Sequence, residues 1–102
     1  MNKVTKAELR EEVERLNRKY CKNSKHKLHL QGGYGGVQVQ LTGKTYKKGN
    51  RTHYRGSLAS GNTEITAGFH SPTETLFRLY KADSKGEIKK KVKHWDSIPS
   101  KR

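Results

Sequence analysis

Apolar side chains are scarce in this chain and fall into short periodic groups, which limits the fold more than any other property. Eight leucines, five valines, three isoleucines and two phenylalanines make 18 residues in 102. That level borders on the composition of disordered chains. One small, thin core is all these residues can build, so the chain has room for a single domain. We expect it over residues 1–96, followed by a frayed basic tail at 97–102 that contains Pro99 and ends Lys101-Arg102.

The spacing of the apolar groups assigns the elements. Leu9, Val13, Leu16 and Tyr20 recur at helical intervals. Thr5 and Glu8 form a capping box ahead of them, and Val4 and Leu9 take the hydrophobic-staple positions. Glutamates crowd the early turns and Arg15, Arg18, Lys19 and Lys22 the late ones, as a helix dipole favours. This predicts a helix over about 5–21, stopped by Asn23-Ser24. Leu28 and Leu30 then alternate with polar residues, as do Val37, Val39 and Leu41, around Gly32-Gly33-Tyr34-Gly35-Gly36. That is a hairpin with one buried face and a tight turn needing positive φ.

Residues 43–50 read as a polar basic loop, and 51–59 with 63–69 as a second strand pair around Gly61-Asn62. Ser71, Pro72 and Glu74 open another helix, with Leu76, Phe77, Leu79 and Tyr80 as its apolar face. Ser84 and Glu87 offer a cap for a third helix carrying Ile88, Val92 and Trp95. One kinked helix or two over 72–95 are both open on the pattern. The expected fold class is α+β: an N-terminal helix, an antiparallel sheet of three to four strands in two hairpins, and a C-terminal helix or helix pair packed on one sheet face. The other face, with Gln38, Gln40 and Thr42, is expected to be open.

Charge points to the partner. Lys and Arg number 23 against 9 Asp and Glu, for a net charge of +14. Solubility alone calls for a magnitude of roughly 2–8 in a small domain. From Arg15 to Thr63 there is no acidic residue, and that stretch holds four of the five tyrosines. Cations interleaved with aromatics and glycines suit phosphate contacts and base stacking. The candidate nucleic-acid-binding residues are Lys44, Lys47, Lys48, Arg51 and Arg55, with Lys25 and Lys27, and with Tyr34 and Tyr46 to stack on bases. A second cluster, Lys85, Lys89, Lys90, Lys91 and Lys93, lies beside His94 and Trp95.

Patterns for catalysis and metal binding fall short. Gly43-Lys44-Thr45 lacks the glycine five residues earlier that a phosphate-binding P-loop requires, since Gln38 stands there. The glycines at 32–36 join two strands, whereas a dinucleotide fingerprint joins a strand to a helix. His26 and His29, three apart on a strand, face opposite ways and cannot share a metal. Cys21 is the one cysteine, which leaves no intrachain disulfide and no cysteine-based zinc site. No pair of carboxylates is placed by local spacing for acid–base work. We therefore expect no enzyme, no cofactor and no metal. The absence of an apolar leader or spanning stretch predicts a cytoplasmic protein that does not enter the membrane.

Gly33-Tyr34-Gly35-Gly36 between alternating strands, followed by Gly68-Phe69-His70-Ser71-Pro72-Thr73-Glu74-Thr75-Leu76, resembles small proteins encoded by phages and prophages of Gram-positive bacteria. The resemblance covers about residues 28–82. It implies a mobile-element setting in a bacterial host cell, where such proteins bind DNA or RNA or block defence enzymes such as CRISPR nucleases. The helix–sheet–helix order also resembles double-stranded-RNA-binding domains. This chain has an extra expected strand, and Ser71-Pro72-Thr73-Glu74 stands where that family's last helix begins with basic residues. The expectation is a nucleic-acid-binding protein with charge-dominated, low-specificity contacts. The alternative is an anti-CRISPR type inhibitor that docks on an acidic protein or ribonucleoprotein surface. A third reading is a structural or assembly protein, bound to packaged genome or to its own copies; separately, the exposed edges of a half-covered sheet could pair in a dimer.

Overall fold

Thr5 starts the first helix as its sequence requires. The computed structural model describes residues 3–43, 45–54 and 63–97, with the backbone alone at 45–48, 51–54 and 63. Helix α1 runs Lys6–Tyr20. The Thr5 hydroxyl accepts the Glu8 N–H at 3.1 Å, and the Glu8 carboxylate accepts the Thr5 N–H at 3.1 Å. Leu9, Val13 and Leu16 are buried, and Val4 packs against the same core. Asn17 then grips the next element with both ends of its amide: Nδ2 donates to the Leu28 carbonyl and Oδ1 accepts the Leu28 N–H.

Strands β1 (His26–Gly33) and β2 (Gly36–Gly43) form the long hairpin. Their register sets Leu28 opposite Leu41 and Leu30 opposite Val39. Tyr34 and Gly35 make the two-residue turn with φ +47° and +74°, as a type I′ hairpin needs. Glycine is required next door for a different reason. A Cβ on Gly36 would lie 2.7 Å from the His70 nitrogen, because Val37 and His70 exchange backbone hydrogen bonds of 2.8 and 3.0 Å there. That bridge seats the start of α2 (Pro72–Ser84) against β2.

Helix α3 (Glu87–Asp96) follows after a break, so the 72–95 region holds two helices. Ser84 does not cap α3: it is the last residue of α2 and its hydroxyl donates back to the Lys81 carbonyl. Gly86, with φ +73°, takes the N-cap position without a side-chain hydrogen bond. Leu79, Ala82, Ile88 and Val92 join the α1 leucines over Leu28, Val37, Val39 and Leu41. Helices α1 and α2 are fastened at both ends, by Val4 N–H to the Thr73 hydroxyl at 2.9 Å and by the Tyr20 hydroxyl to Asp83 at 2.5 Å.

The α+β composition stands, but the strands depart from expectation. The sheet has two full strands, not three to four, with β5 (Thr63–Glu64) adding only two residues beside β2. Residues read as a loop form β3 (Thr45–Lys48), which pairs with β4 (Arg51–Tyr54) in a separate ribbon around Gly49-Asn50. Closing a two-residue turn costs less chain entropy than reaching a distant strand. Backbone pairing also needs no apolar side chains, so charge hid β3. Gly61-Asn62 lies outside the described residues, and beyond Glu64 the chain bends.

The polar face of β2 is not open. Gln38 and Thr42 are 1% and 2% exposed, and Gln40 is buried with them. Gln38 Nε2 donates to the Glu64 carboxylate and to the Gly68 carbonyl, and its Oε1 accepts from Gln40. The Thr66 hydroxyl accepts the Val39 N–H. Phe77 and Tyr80, expected on the apolar face of α2, are exposed, while Thr75, Leu79 and Ala82 are buried.

Candidate functional site

Among the residues whose side chains are described, no lysine forms an ion pair with a carboxylate. The acids have other uses. Glu12 binds Arg15 through two nitrogens at 2.6 and 2.9 Å, and Glu74 binds Arg78. The Glu12 hydrogen bond and charge hold the Arg15 guanidinium protonated even more firmly than usual. Asp83 accepts the Tyr20 hydroxyl and lies 4.0 Å from Arg15. Arg15, the first cation of the acid-free run, is thus absorbed into the α1–α2 contact.

Asp96 is the best-partnered acid. One of its oxygens accepts from the Ser24 hydroxyl at 2.8 Å, from His26 Nδ1 at 2.8 Å and from the Lys25 N–H at 3.2 Å. The Ser24 hydroxyl in turn accepts the His26 N–H. Burial alone would push the carboxyl up, but the bonds from His26, Ser24 and Lys25 outweigh it and hold Asp96 below its ordinary value. This cluster joins the end of α3 to the start of β1. Although it contains Ser, His and Asp, the serine bonds the carboxylate and not the imidazole, so it lacks the relay of a nucleophilic triad.

The expected site residues separate into groups. Lys25 is exposed just before β1, and Lys27 is half-buried on β1 opposite Thr42. Lys27 lines a cleft with Arg18, Lys22 and Cys21, which Glu14 also borders. Lys22 also lines a second groove with Lys19, Lys89 and Lys93. A basic surface therefore runs from β1 past the end of α1 onto α3. Lys47, Lys48, Arg51 and Tyr46 lie on the β3–β4 ribbon, where Lys48 pairs with Arg51 and Tyr46 with His53. The ribbon springs from the same end of the sheet as Lys25 and Lys27, since Gly43, two residues before Thr45, pairs with His26. Lys44 and Arg55 lie outside the described residues.

Tyr34 stands apart. It caps the far end of the hairpin, roughly 20–25 Å from Lys27 at about 3.3 Å per strand residue. It is 94% exposed, and its φ of +47° is rare outside glycine, asparagine and aspartate. Its ring meets Phe69 at 5.2 Å between centroids, tilted 58°. Phe69 also lies over Gly33, where an added Cβ would come within 3.3 Å of the ring. The aromatic pair at the tip was invisible in sequence because Phe69 is 35 residues away in the chain. Part of the groove had a readable signal, since Lys89 and Lys93 share one helical face by spacing. That Lys19 and Lys22 meet them is a tertiary fact.

Among the described residues, no group of three His, Cys, Asp or Glu is set to hold a metal, and no helix is long and apolar enough to cross a membrane. Compared with protein-family models, curated proteins and solved structures, the chain matches none of them.

Proposed function

We propose that this protein binds nucleic acid through charge-dominated contacts, acting by binding and not by catalysis. The observation that carries the reading is the division of labour among charges. The described carboxylates with side-chain partners pair with arginine, histidine, amide, hydroxyl or cap groups, and none with a lysine. Lys91 donates to the Glu64 carbonyl, and the exposed lysines of α1, α3 and the segment between α1 and β1 have no carboxylate partner, which suits an external polyanion. Phosphate contacts of this kind supply affinity without reading sequence.

The test is fluorescence anisotropy with labelled single- and double-stranded DNA and RNA, at low and at near-physiological salt. The expected result is binding that weakens steeply with salt, and that weakens further in K47Q/K48Q/R51Q. Absence of binding to all four probes at low salt would overturn the reading and direct the search to an acidic protein surface.

A further inference from the structure

We infer that the groove between the end of α1 and α3 is a seat for the phosphodiester backbone. The inference rests on the nucleic-acid reading and gives it a location outside the ribbon that sequence favoured. Lys19 and Lys22 line it from the end of α1 and the turn after it, Lys89 and Lys93 from α3, with Tyr20 and Val92 also in the lining. All four lysines are exposed, and the Tyr20 ring lies 5.1 Å below the Lys19 Nζ. Asp96 also borders the groove and would repel an anion. Its Oδ1 is occupied by Ser24, His26 and the Lys25 N–H, which turns hydrogen-bond donors towards the one carboxylate there.

Helix stability accounts for only two of these lysines. Lys19 and Lys93 sit in last turns, where a cation complements the helix dipole. Lys89 does the opposite: it is the third residue of α3, in the first turn, where a cation is disfavoured. Lys90 follows it there. Glu87 supplies the acid that this end favours, so Lys89 and Lys90 after it are cations the dipole does not call for. Lys22 lies beyond α1 altogether and borders both this groove and the cleft containing Lys27. A strand of phosphates can therefore continue from the groove towards β1 and the root of the ribbon.

The experiment compares two charge-matched variants of the full chain by anisotropy, with the same labelled DNA and RNA probes across a salt series. One is K19Q/K22Q/K89Q/K93Q. The other is K3Q/K6Q/R10Q/K81Q, which removes four exposed cations elsewhere. The groove variant is expected to lower the slope of log affinity against log salt by about 0.9 for each lysine that meets a duplex phosphate. It should weaken binding at least tenfold more than the control variant. K89Q alone should weaken binding while leaving the melting temperature unchanged or higher, which no structural role for Lys89 would produce. Equal loss in both quadruple variants would overturn the groove and leave a diffuse, net-charge mode of binding. Wild-type protein that binds no probe at low salt would overturn the nucleic-acid reading itself. A lower melting temperature in K89Q would also count against the groove, by showing that the lysine supports the fold.

Discussion

At the scale of single residues, Asp96 shows how one carboxylate can set both structure and charge. It holds Ser24, Lys25 and His26 to the end of α3 through one oxygen. Because its folded pKa lies below the ordinary 3.8, its contribution to stability is present above about pH 3.8 and is lost as pH falls through the lower folded value. Asp96→Asn should therefore cost about 1–3 kcal/mol near neutral pH, by weakening charge-assisted hydrogen bonds at a half-buried site. The gap between variant and wild type should close below about pH 3.8, as the wild-type carboxyl also becomes neutral. Urea denaturation in a pH series checks this, and a gap that widens in acid would contradict it.

At the scale of elements, β2 is the organising strand. Its apolar face lies under the helices, and its polar face is closed by a glutamine–glutamate network. A strand buried on both faces needs a close neighbour at each edge, and the Val37–His70 bridge supplies one where β5 does not reach. Gly36→Ala should therefore be disruptive. The new methyl would meet His70 backbone atoms at 2.7 and 2.8 Å, which cannot swing aside as a side chain can. We expect a loss of about 1–3 kcal/mol in urea denaturation. Gly32→Ala, whose nearest obstacle is 4.0 Å away, should cost less.

At the scale of the whole molecule, charge is unevenly spread. The first turns of α1 carry Glu8, Glu11, Glu12 and Glu14, and the end of α1, the start of β1 and α3 carry the lysines. A chain of net charge +14 with a thin core is opposed by its own repulsion. Salt should then act in opposite directions on the free and bound protein. Raising NaCl from about 20 to about 300 mM shortens the screening length from roughly 20 to 6 Å. It should raise the melting temperature of the free protein while weakening its complexes with nucleic acid. A melting temperature that falls over this range would show that local ion pairs outweigh the global repulsion.

Local signals in the sequence determined the helices and the long hairpin. The Thr5–Glu8 box, the 3.6-residue spacing of Leu9, Val13 and Leu16, and the glycines around Tyr34 each act within a few residues, so neighbours suffice to set them. Net charge and the lack of acids from Arg15 to Thr63 were equally plain. Long-range competition was not readable. Arg51 to Tyr54 pair backwards with Thr45 to Lys48 because Gly49-Asn50 closes the nearer ladder. Gln38 and Thr42 look like solvent-facing residues by alternation yet are buried, because alternation reports the two faces of a strand and not what covers them. The same limit applies to function. Spacing already set Arg15 beside Glu12 on α1, but only packing decided that Arg15 also nears Asp83 and that Lys19 and Lys22 share a groove with Lys89 and Lys93. Contacts between residues some 70 positions apart depend on how three helices share one small core, and no local pattern encodes that.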